Sequence, residues 1–480
     1  MSKTTAVKRR VIDSPYAGVL GKTPFDHGQP HTLISGRTGS GKSRTTICPA
    51  ILRWNRRSVV AVSCKSDVAE LTAAIRAQHG KVYLMDLSGK VPDDSKIGVP
   101  TIRVSSDPTL GIVSDDTALD VASLLMDVGD LGTGDGSSGG NDKTWKTLAR
   151  RPLAAILRAA ASYKDPETGA TVPGGGIDWA LDAGDVMGKP SEDGDPEYHA
   201  PSWVTAANRC AVTGSRHGQM LMNALDMDPG QRDSIRLNIY NALSTWARDE
   251  VSRPAGDTVP FHPSMLEEPG ATLYIISPDS GDAAPAATAA LTAIVEHWRR
   301  HELPHLLAVI DELPSTCPLP KLANWVGTLR GEGVRIVAAV QATSQFAPRW
   351  GREGLQILRD LFPAVLILPG APEPELLDQA IWMTPSSERV TASIDASGNV
   401  SHSRDSAATV TKADLVPPPG YGRLLILGQM GRLVRLPDIT ATDLLDRKPA
   451  APAQTPPRPA EQHGRPEPTL GSRIKTWMTE

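Results

Sequence analysis

The segment Gly36-Arg37-Thr38-Gly39-Ser40-Gly41-Lys42-Ser43 constrains this chain more than any other, because it fits the pattern G-x-x-x-x-G-K-[ST] throughout. Glycines at 36, 39 and 41 let the backbone take positive φ and approach a ligand with no Cβ in the way. Successive N–H groups then converge on phosphate oxygens, aided by the positive end of a helix starting at Gly41. In such a loop Lys42 reaches the β- and γ-phosphates of a nucleotide, and the Ser43 hydroxyl ligates Mg2+. Thr38, Ser40 and Arg44 complete the expected nucleotide contacts with Gly36, Gly39, Gly41, Lys42 and Ser43.

The flanks have the order such a loop needs. His31-Thr32-Leu33-Ile34-Ser35 is a short β-prone run, and Ser43 to Trp54 reads as a helix that Pro49 kinks or shortens. Strand and helix then alternate to about residue 115. Ser58 to Ser63 is a β-branched run suited to a strand buried on both faces. Asp67 to Gln78 follows as a helix with Gly80 as its C-cap, and Lys81 to Asp86 is the next strand. This succession predicts a parallel sheet with right-handed crossovers.

The composition changes after that point. Gly129 to Asn141 is a Gly/Ser/Asp tract, and Thr144 to Tyr163 is a strong helix with Leu148, Leu153, Ile156 and Leu157 on one face. Asp165 to Pro201 is acidic and rich in Gly and Pro, a long loop with at most a short helix near Trp179. Ser202 to Arg248 is again helical, broken around Pro229-Gly230. Alternation resumes with a strand at Ala271 to Ile276, a helix at Ala284 to Glu302, and strands at Leu306–Ile310, Arg335–Val340 and Ala364–Leu368. Residues 385–435 read as hairpins plus a closing strand, with a turn at Gly398-Asn399. Five segments result: an N-terminal arm (1–29), a first nucleotide-domain part (30–118), a helical inserted domain with a mobile acidic loop (119–258), a second nucleotide-domain part (259–445), and a Pro-rich disordered tail (446–480) with a short terminal helix near Gly471 to Met478.

Composition narrows the setting. At 480 residues there is room for two or three domains, and a net charge of −4 shows no overall basic character, although a local basic surface would vanish in that average. Cys48, Cys64, Cys210 and Cys317 are far apart, which fits reduced thiols rather than disulfides or a zinc site. No apolar run is long enough to span a membrane, and the N-terminus lacks the apolar core of a signal peptide. The expectation is a soluble, cytoplasmic chain.

The strand Leu306–Ile310 ends in Asp311-Glu312. In nucleotide hydrolases a carboxylate there serves Mg2+ and its neighbour orients or deprotonates the attacking water, so Asp311 is assigned to the metal and Glu312 to the water. The next strand ends at Gln341-Ala342-Thr343-Ser344-Gln345, where a polar amide can sense the γ-phosphate, since parallel-sheet ligands lie beyond strand C-termini. Arg330, before Gly331-Glu332-Gly333, is a candidate to enter a neighbouring subunit's site, with Arg335 as its rival. Lys65, after the second strand, either faces phosphate or DNA or holds a loop carboxylate.

Read together, these motifs resemble the type IV coupling protein family of hexameric DNA-translocating ATPases in conjugation and type IV secretion. The resemblance is carried by Ser35 to Ser43 with Pro49-Ala50-Ile51-Leu52, the turn at Lys65, Lys81 to Asp86, and Leu307 to Glu312. Arg330 to Arg335, Gln341 to Phe346 and Trp350-Gly351 extend it, so that it covers about 30–440 and is loose in the insertion. It implies an α/β, RecA-like P-loop NTPase fold with a mainly parallel sheet, interrupted by an inserted all-α domain in whose place Thr144-Trp145 and the following helix sit. It also implies ATP and Mg2+ as cofactors, a homo-hexamer on single- or double-stranded DNA, and a relaxase or relaxosome protein and a secretion-channel or membrane-anchor protein as partners.

Two features depart from the family pattern. Only 35 residues precede the loop and none of them spans a membrane, so the anchor is expected on a separate polypeptide, holding the chain peripherally at the inner membrane, or to be dispensed with. The acidic stretch Asp165 to Pro201 would repel phosphate and puts DNA contact there in question. The alternatives are a related RecA-like motor for double-stranded DNA segregation or protein secretion, and a nucleotide-dependent docking protein with slow turnover. The second carboxylate, Glu312, speaks against the docking reading.

Overall fold

The computed structural model describes residues 13–132, 140–188, 200–252, 254, 257–394 and 400–445. Residues 1–12 of the N-terminal arm, the middle of the Gly/Ser/Asp tract, residues 189–199 of the acidic loop, the Gly398-Asn399 turn and the tail with its terminal helix lie outside the described residues.

The thirteen strands of one sheet are β1 (Val19–Leu20), β2 (Thr23–Pro24), β3 (His31–Ser35), β4 (Val59–Ser63), β5 (Val82–Asp86), β6 (Ile102–Ser105), β7 (Val259–Pro260), β8 (Thr272–Ile276), β9 (Leu306–Ile310), β10 (Val334–Val340), β11 (Ala364–Ile367), β12 (Tyr421–Ile426) and β13 (Gln429–Arg435). Their spatial order is β2-β1-β13-β12-β11-β3-β10-β9-β4-β8-β5-β6-β7. From β11 to β7 all neighbours run parallel, while β12, β13, β1 and β2 add an antiparallel flank. The central strands are buried along their whole length because both sheet faces are covered, so successive residues serve opposite cores. Leu33, Val60 and Val62 pack into one core, and Ile34, Val59 and Ala61 into the other.

The second face is closed by α1 (Cys48–Arg53) and α2 (Asp67–Arg76), through Ile47, Ile51, Trp54, Val68 and Ala73. Pro49 sits in the first turn of α1, where its missing N–H is harmless. The turn before it, Ser43–Ile47, is a π-helix, with the Cys48 N–H donating to the Ser43 carbonyl. Proline therefore reshapes the helix at its start rather than kinking it midway. Gly80 is not a C-cap. The helix ends at Arg76, and a Cβ on Gly80 would lie 2.5 Å from the Gly270 backbone, so glycine is needed there for chain packing.

The first face carries α3 (Asp115–Gly132), α4 (Gly140–Ala160), α5 (Gly176–Asp185), α6 (Trp203–Val212), α7 (Gly218–Leu225) and α8 (Pro229–Leu243). The short helix expected near Trp179 is α5. Pro229 opens α8 instead of interrupting a helix, and the break falls before it. These helices share a continuous core with the sheet: Trp203, Leu153 and Ile239 belong to the same apolar cluster as Leu33 and Val60. All described residues accordingly lie in one compact unit. A separate hairpin joins Ser386–Ile394 to Val400–Ala408. Cys48, Cys210 and Cys317 are buried, Cys64 is half-buried, and all four are free thiols. Among the described residues, no helix is long and apolar enough to cross a membrane.

Candidate nucleotide site

The site is built at the C-terminal edge of three adjacent strands, β3, β10 and β9, where loops leave a parallel sheet. Strand pairing positions its root: the Gly36 N–H donates to the Val340 carbonyl at 3.0 Å, and the Leu368 N–H to the Ser35 carbonyl at 2.8 Å. The three glycines play two different parts. Gly39 and Gly41 have φ of 79° and 85°, which open the loop's turn. Gly36 is required by closeness, since a Cβ there would lie 2.7 Å from Leu368 Cδ1 and from Ser40 Oγ. The Ser40 N–H closes the loop on the Arg37 carbonyl at 3.0 Å, and Thr45 N–H to Gly41 carbonyl (2.9 Å) starts the helical ladder.

Lys42 is buried under this loop, donating to the Gly36 carbonyl at 2.5 Å, with Nζ 3.8 Å from Glu312 Oε2. Glu312 is the residue at which β9 turns into the next short helix (Leu313–Thr316), and it holds left-handed backbone angles (φ 56°, ψ 48°). That conformation is uncommon for a residue with a Cβ and costs roughly 1–3 kcal/mol. It directs the two carboxylates of the Asp311-Glu312 pair differently. Asp311 is buried at the strand end, its N–H donating to the Val62 carbonyl at 2.8 Å. Burial, reinforced by the Glu312 charge and opposed by Lys42, pushes the Asp311 carboxyl up to about 6. Glu312 Oε1 and Ser40 Oγ are buried with no hydrogen-bond partner among the described residues.

These observations fit a nucleotide with its cation. Two orphaned polar atoms occur beside an ammonium and a glycine loop, and a bound phosphate chain with coordinated water would satisfy them. Ser43, half-buried at the helix start, and Asp311 are the residues that would hold Mg2+. No group of three or more His, Cys, Asp or Glu side chains among the described residues is placed to hold a metal alone. Phosphate oxygens and water would therefore supply the other ligands, as is usual for Mg2+.

The remaining predicted residues divide. Thr38 is exposed on the loop's rim. Gln341 follows β10 directly and is half-buried, its N–H donating to Gln345 Oε1 at 2.8 Å. Arg44 is exposed and forms a two-pronged pair with Asp438 (2.7 and 2.8 Å), which holds the Asp438 carboxyl well below the usual carboxylate range. Its guanidinium thus faces a carboxylate, not the phosphate cradle. Arg330 and Arg335 lie at the other end of β10, roughly 20 Å from the loop at strand rise. Arg335 is buried and donates to the carbonyls of Asp13 (3.2 Å) and Arg330 (3.1 Å), whereas Arg330 is exposed. Lys65 is exposed at the C-terminal edge beside β4 and makes no ion pair with any described residue.

One participant was not anticipated from sequence. Glu373, between Pro372 and Pro374, is 1% exposed and accepts hydrogen bonds from Ser35 Oγ and from Thr343. The only local sign of it is an acid held between two prolines beyond the β11 strand.

The model of the family described as type IV secretory system conjugative DNA transfer matches residues 2–366. The conjugal transfer protein TraG of Escherichia coli is 24% identical over 345 residues, covering 67% of this chain and 50% of that protein. The chain thus spans about half the length of that curated relative. Among solved structures, the bacterial conjugative coupling protein TrwBdeltaN70 in complex with sulphate superimposes with a TM-score of 0.59 at 19% identity, covering 92% of each chain. The plasmid coupling protein TrwB in complex with ADP and Mg2+ gives 0.56 at 21% identity, again over 92% of each chain. At such identities the likeness establishes a shared fold.

Proposed function

Because the chain belongs to the type IV secretory system conjugative DNA transfer family, we propose that it is an ATP-hydrolysing DNA translocase of the coupling type, delivering DNA or a nucleoprotein to a conjugative or type IV-like secretion channel. The observation that carries the hydrolytic part is Glu312. A module that only binds nucleotide has no need of a second carboxylate in a strained conformation, opposite the loop lysine, with one oxygen unengaged.

The residues divide the work. Bound Mg-ATP supplies the electrophilic γ-phosphate and neutralises part of its charge. Lys42 and the N–H groups of residues 36–43 orient the phosphate chain and stabilise the charge that develops on it. Ser43 and Asp311 hold the cation, for which Asp311 must be ionised. A nearby divalent charge favours that form against the burial that opposes it. Glu312 Oε1 accepts a proton from, or aligns, the attacking water. Gln341 lies one residue past the strand beside the loop, where it can register whether the γ-phosphate is present.

Arg330 cannot reach its own loop from the opposite end of β10, so its part is played in the site of a neighbouring copy within a homo-hexamer. Single- or double-stranded DNA, a relaxase or relaxosome protein, and a membrane-anchor or channel protein are the partners this reading requires.

The test is the ATP turnover of the full chain against single-stranded DNA, double-stranded DNA and protein concentration. Stimulation by DNA that rises with protein concentration is expected. Turnover indifferent to DNA but raised by a secreted protein would overturn the DNA-motor reading.

A further inference from the structure

Glu373 is a buried carboxylate that the proposed chemistry leaves without a task. It precedes α9 (Pro374–Trp382), which follows the strand on the far side of β3 from β10. One oxygen, Oε1, accepts from Ser35 Oγ at 2.5 Å and from the Thr343 N–H at 2.7 Å. The other accepts from Thr343 Oγ1 at 2.5 Å, and that hydroxyl in turn accepts from Arg359 Nε at 2.8 Å. Arg359 continues to Glu375 at 3.4 Å, which is largely exposed.

The positions of these partners give the network its meaning. Ser35 is the last residue before the phosphate loop, and Thr343 lies two residues past Gln341. A single carboxylate therefore spans from the root of the loop to the turn bearing the amide. Burying a carboxylate is costly unless it is fully hydrogen-bonded, and an apolar side chain would serve packing better. Strand pairing already holds Ser35 and Val340 side by side, so the fold itself does not need this link. What the carboxylate adds is control of the Thr343 backbone, and through it of the turn that presents Gln341.

We propose that Glu373 is a positioning residue. It locks the Gln341–Thr343 turn to the base of the phosphate loop, so that the amide is held in register with the γ-phosphate during turnover. Thr343 Oγ1 is its relay, and Arg359 with Glu375 carries the link to the surface. This inference rests on the reading of residues 36–43 and Gln341 as the ATP site.

Full-length Glu373→Gln, Thr343→Val and Thr343→Ser are to be compared with the parent by steady-state ATP turnover, affinity for a fluorescent ADP analogue, and amide exchange of nucleotide-free protein. Glu373→Gln keeps an acceptor for Ser35 and the Thr343 N–H but replaces the acceptor of Thr343 Oγ1. The expected result is a kcat at least tenfold lower in Glu373→Gln and Thr343→Val, with ADP-analogue affinity changed less than threefold. Exchange should be faster at residues 341–343, and Thr343→Ser should restore kcat. Unchanged kcat in both disruptive variants, or equal losses in Thr343→Ser and Thr343→Val, would overturn the proposal while leaving the site intact. A parent protein that fails to bind the ADP analogue would overturn the nucleotide reading itself, and the proposal with it. Should Glu373→Gln not fold, the Thr343 pair decides alone.

Discussion

Lys42 Nζ lies 3.8 Å from Glu312 Oε2, so the loop cation and the second carboxylate face each other across the site without a hydrogen bond between them. Lys42 is anchored instead to the Gly36 carbonyl, and since 3.8 Å leaves no room for an intervening atom, a bound γ-phosphate would have to draw the ammonium away from Glu312. Separate losses are expected from the two residues. Lys42→Ala should weaken ATP binding by about 10- to 150-fold, the worth of a charged hydrogen bond of roughly 1.5–3 kcal/mol. Glu312→Gln should bind ATP normally and lose about 10²- to 10⁴-fold in turnover. Titration with a fluorescent nucleotide and a phosphate-release assay separate these outcomes. Full activity in either variant would dismantle the site assignment.

The left-handed backbone of Glu312 makes a stability prediction that runs against activity. Glycine adopts these angles without steric cost, while alanine does not. Glu312→Gly is therefore expected to be more stable than Glu312→Ala by about 1 kcal/mol, although neither should turn over ATP. Urea midpoints of the two variants test it, and a less stable glycine variant would count against strain at this position.

His31 opens β3 fully buried, its Nδ1 accepting from the Ile336 N–H at 3.1 Å. Burial, with Arg335 nearby, lowers its pKa from 6.5 to about 3, so the folded protein resists protonating it. The unfolded chain takes up the proton first as the solution is acidified. Stability from this residue is complete above pH 6.5 and is lost as pH falls toward 3, at up to about 1.4 kcal/mol per unit. His31→Asn keeps an acceptor but cannot titrate. Its denaturation free energy should fall less steeply below pH 6.5 than that of the parent, and parallel curves would refute the assignment.

Arg330 and Arg335 should part company on mutation. Arg335 is buried and ties down the carbonyls of Asp13 and Arg330, so Arg335→Ala should lower stability by about 1–3 kcal/mol. Arg330→Ala should leave the thermal midpoint unchanged and reduce turnover only at protein concentrations where assembly occurs. Turnover measured across a concentration series, beside a melting curve, distinguishes them. The same loss of Arg330→Ala activity in dilute and concentrated protein would exclude action on a neighbouring copy.

Much of this architecture is legible locally. β4, β8 and β9 are nearly continuous apolar runs because both sheet faces are covered, and the glycine loop announces itself by spacing. What lies beyond a local reading depends on distant partners. Glu373 meets Ser35 across 338 residues of chain, and Arg44 meets Asp438 across 394. Gly80 mimics a helix cap in sequence but answers to the backbone of Gly270. The π-turn before Pro49 reflects how a proline near a helix start shifts the ladder ahead of it, where the pattern alone suggested a bend further along. The continuity of the helical insertion with the sheet's core is a property of packing that no periodicity encodes.

The strand order carries a consequence for how the molecule is made. β3 lies between β10 and β11, and β4 between β8 and β9, so neither touches a strand synthesised near it. Both leave the ribosome as segments that the finished fold buries completely, and wait for partners encoded some two hundred or more residues downstream, which at about 5–20 residues per second takes tens of seconds. During that interval the helices of the insertion emerge and can offer their apolar faces to the waiting strands as temporary cover. Recombinant yield should then depend less on the stability of the finished protein than on slowed translation and on holdase chaperones during synthesis.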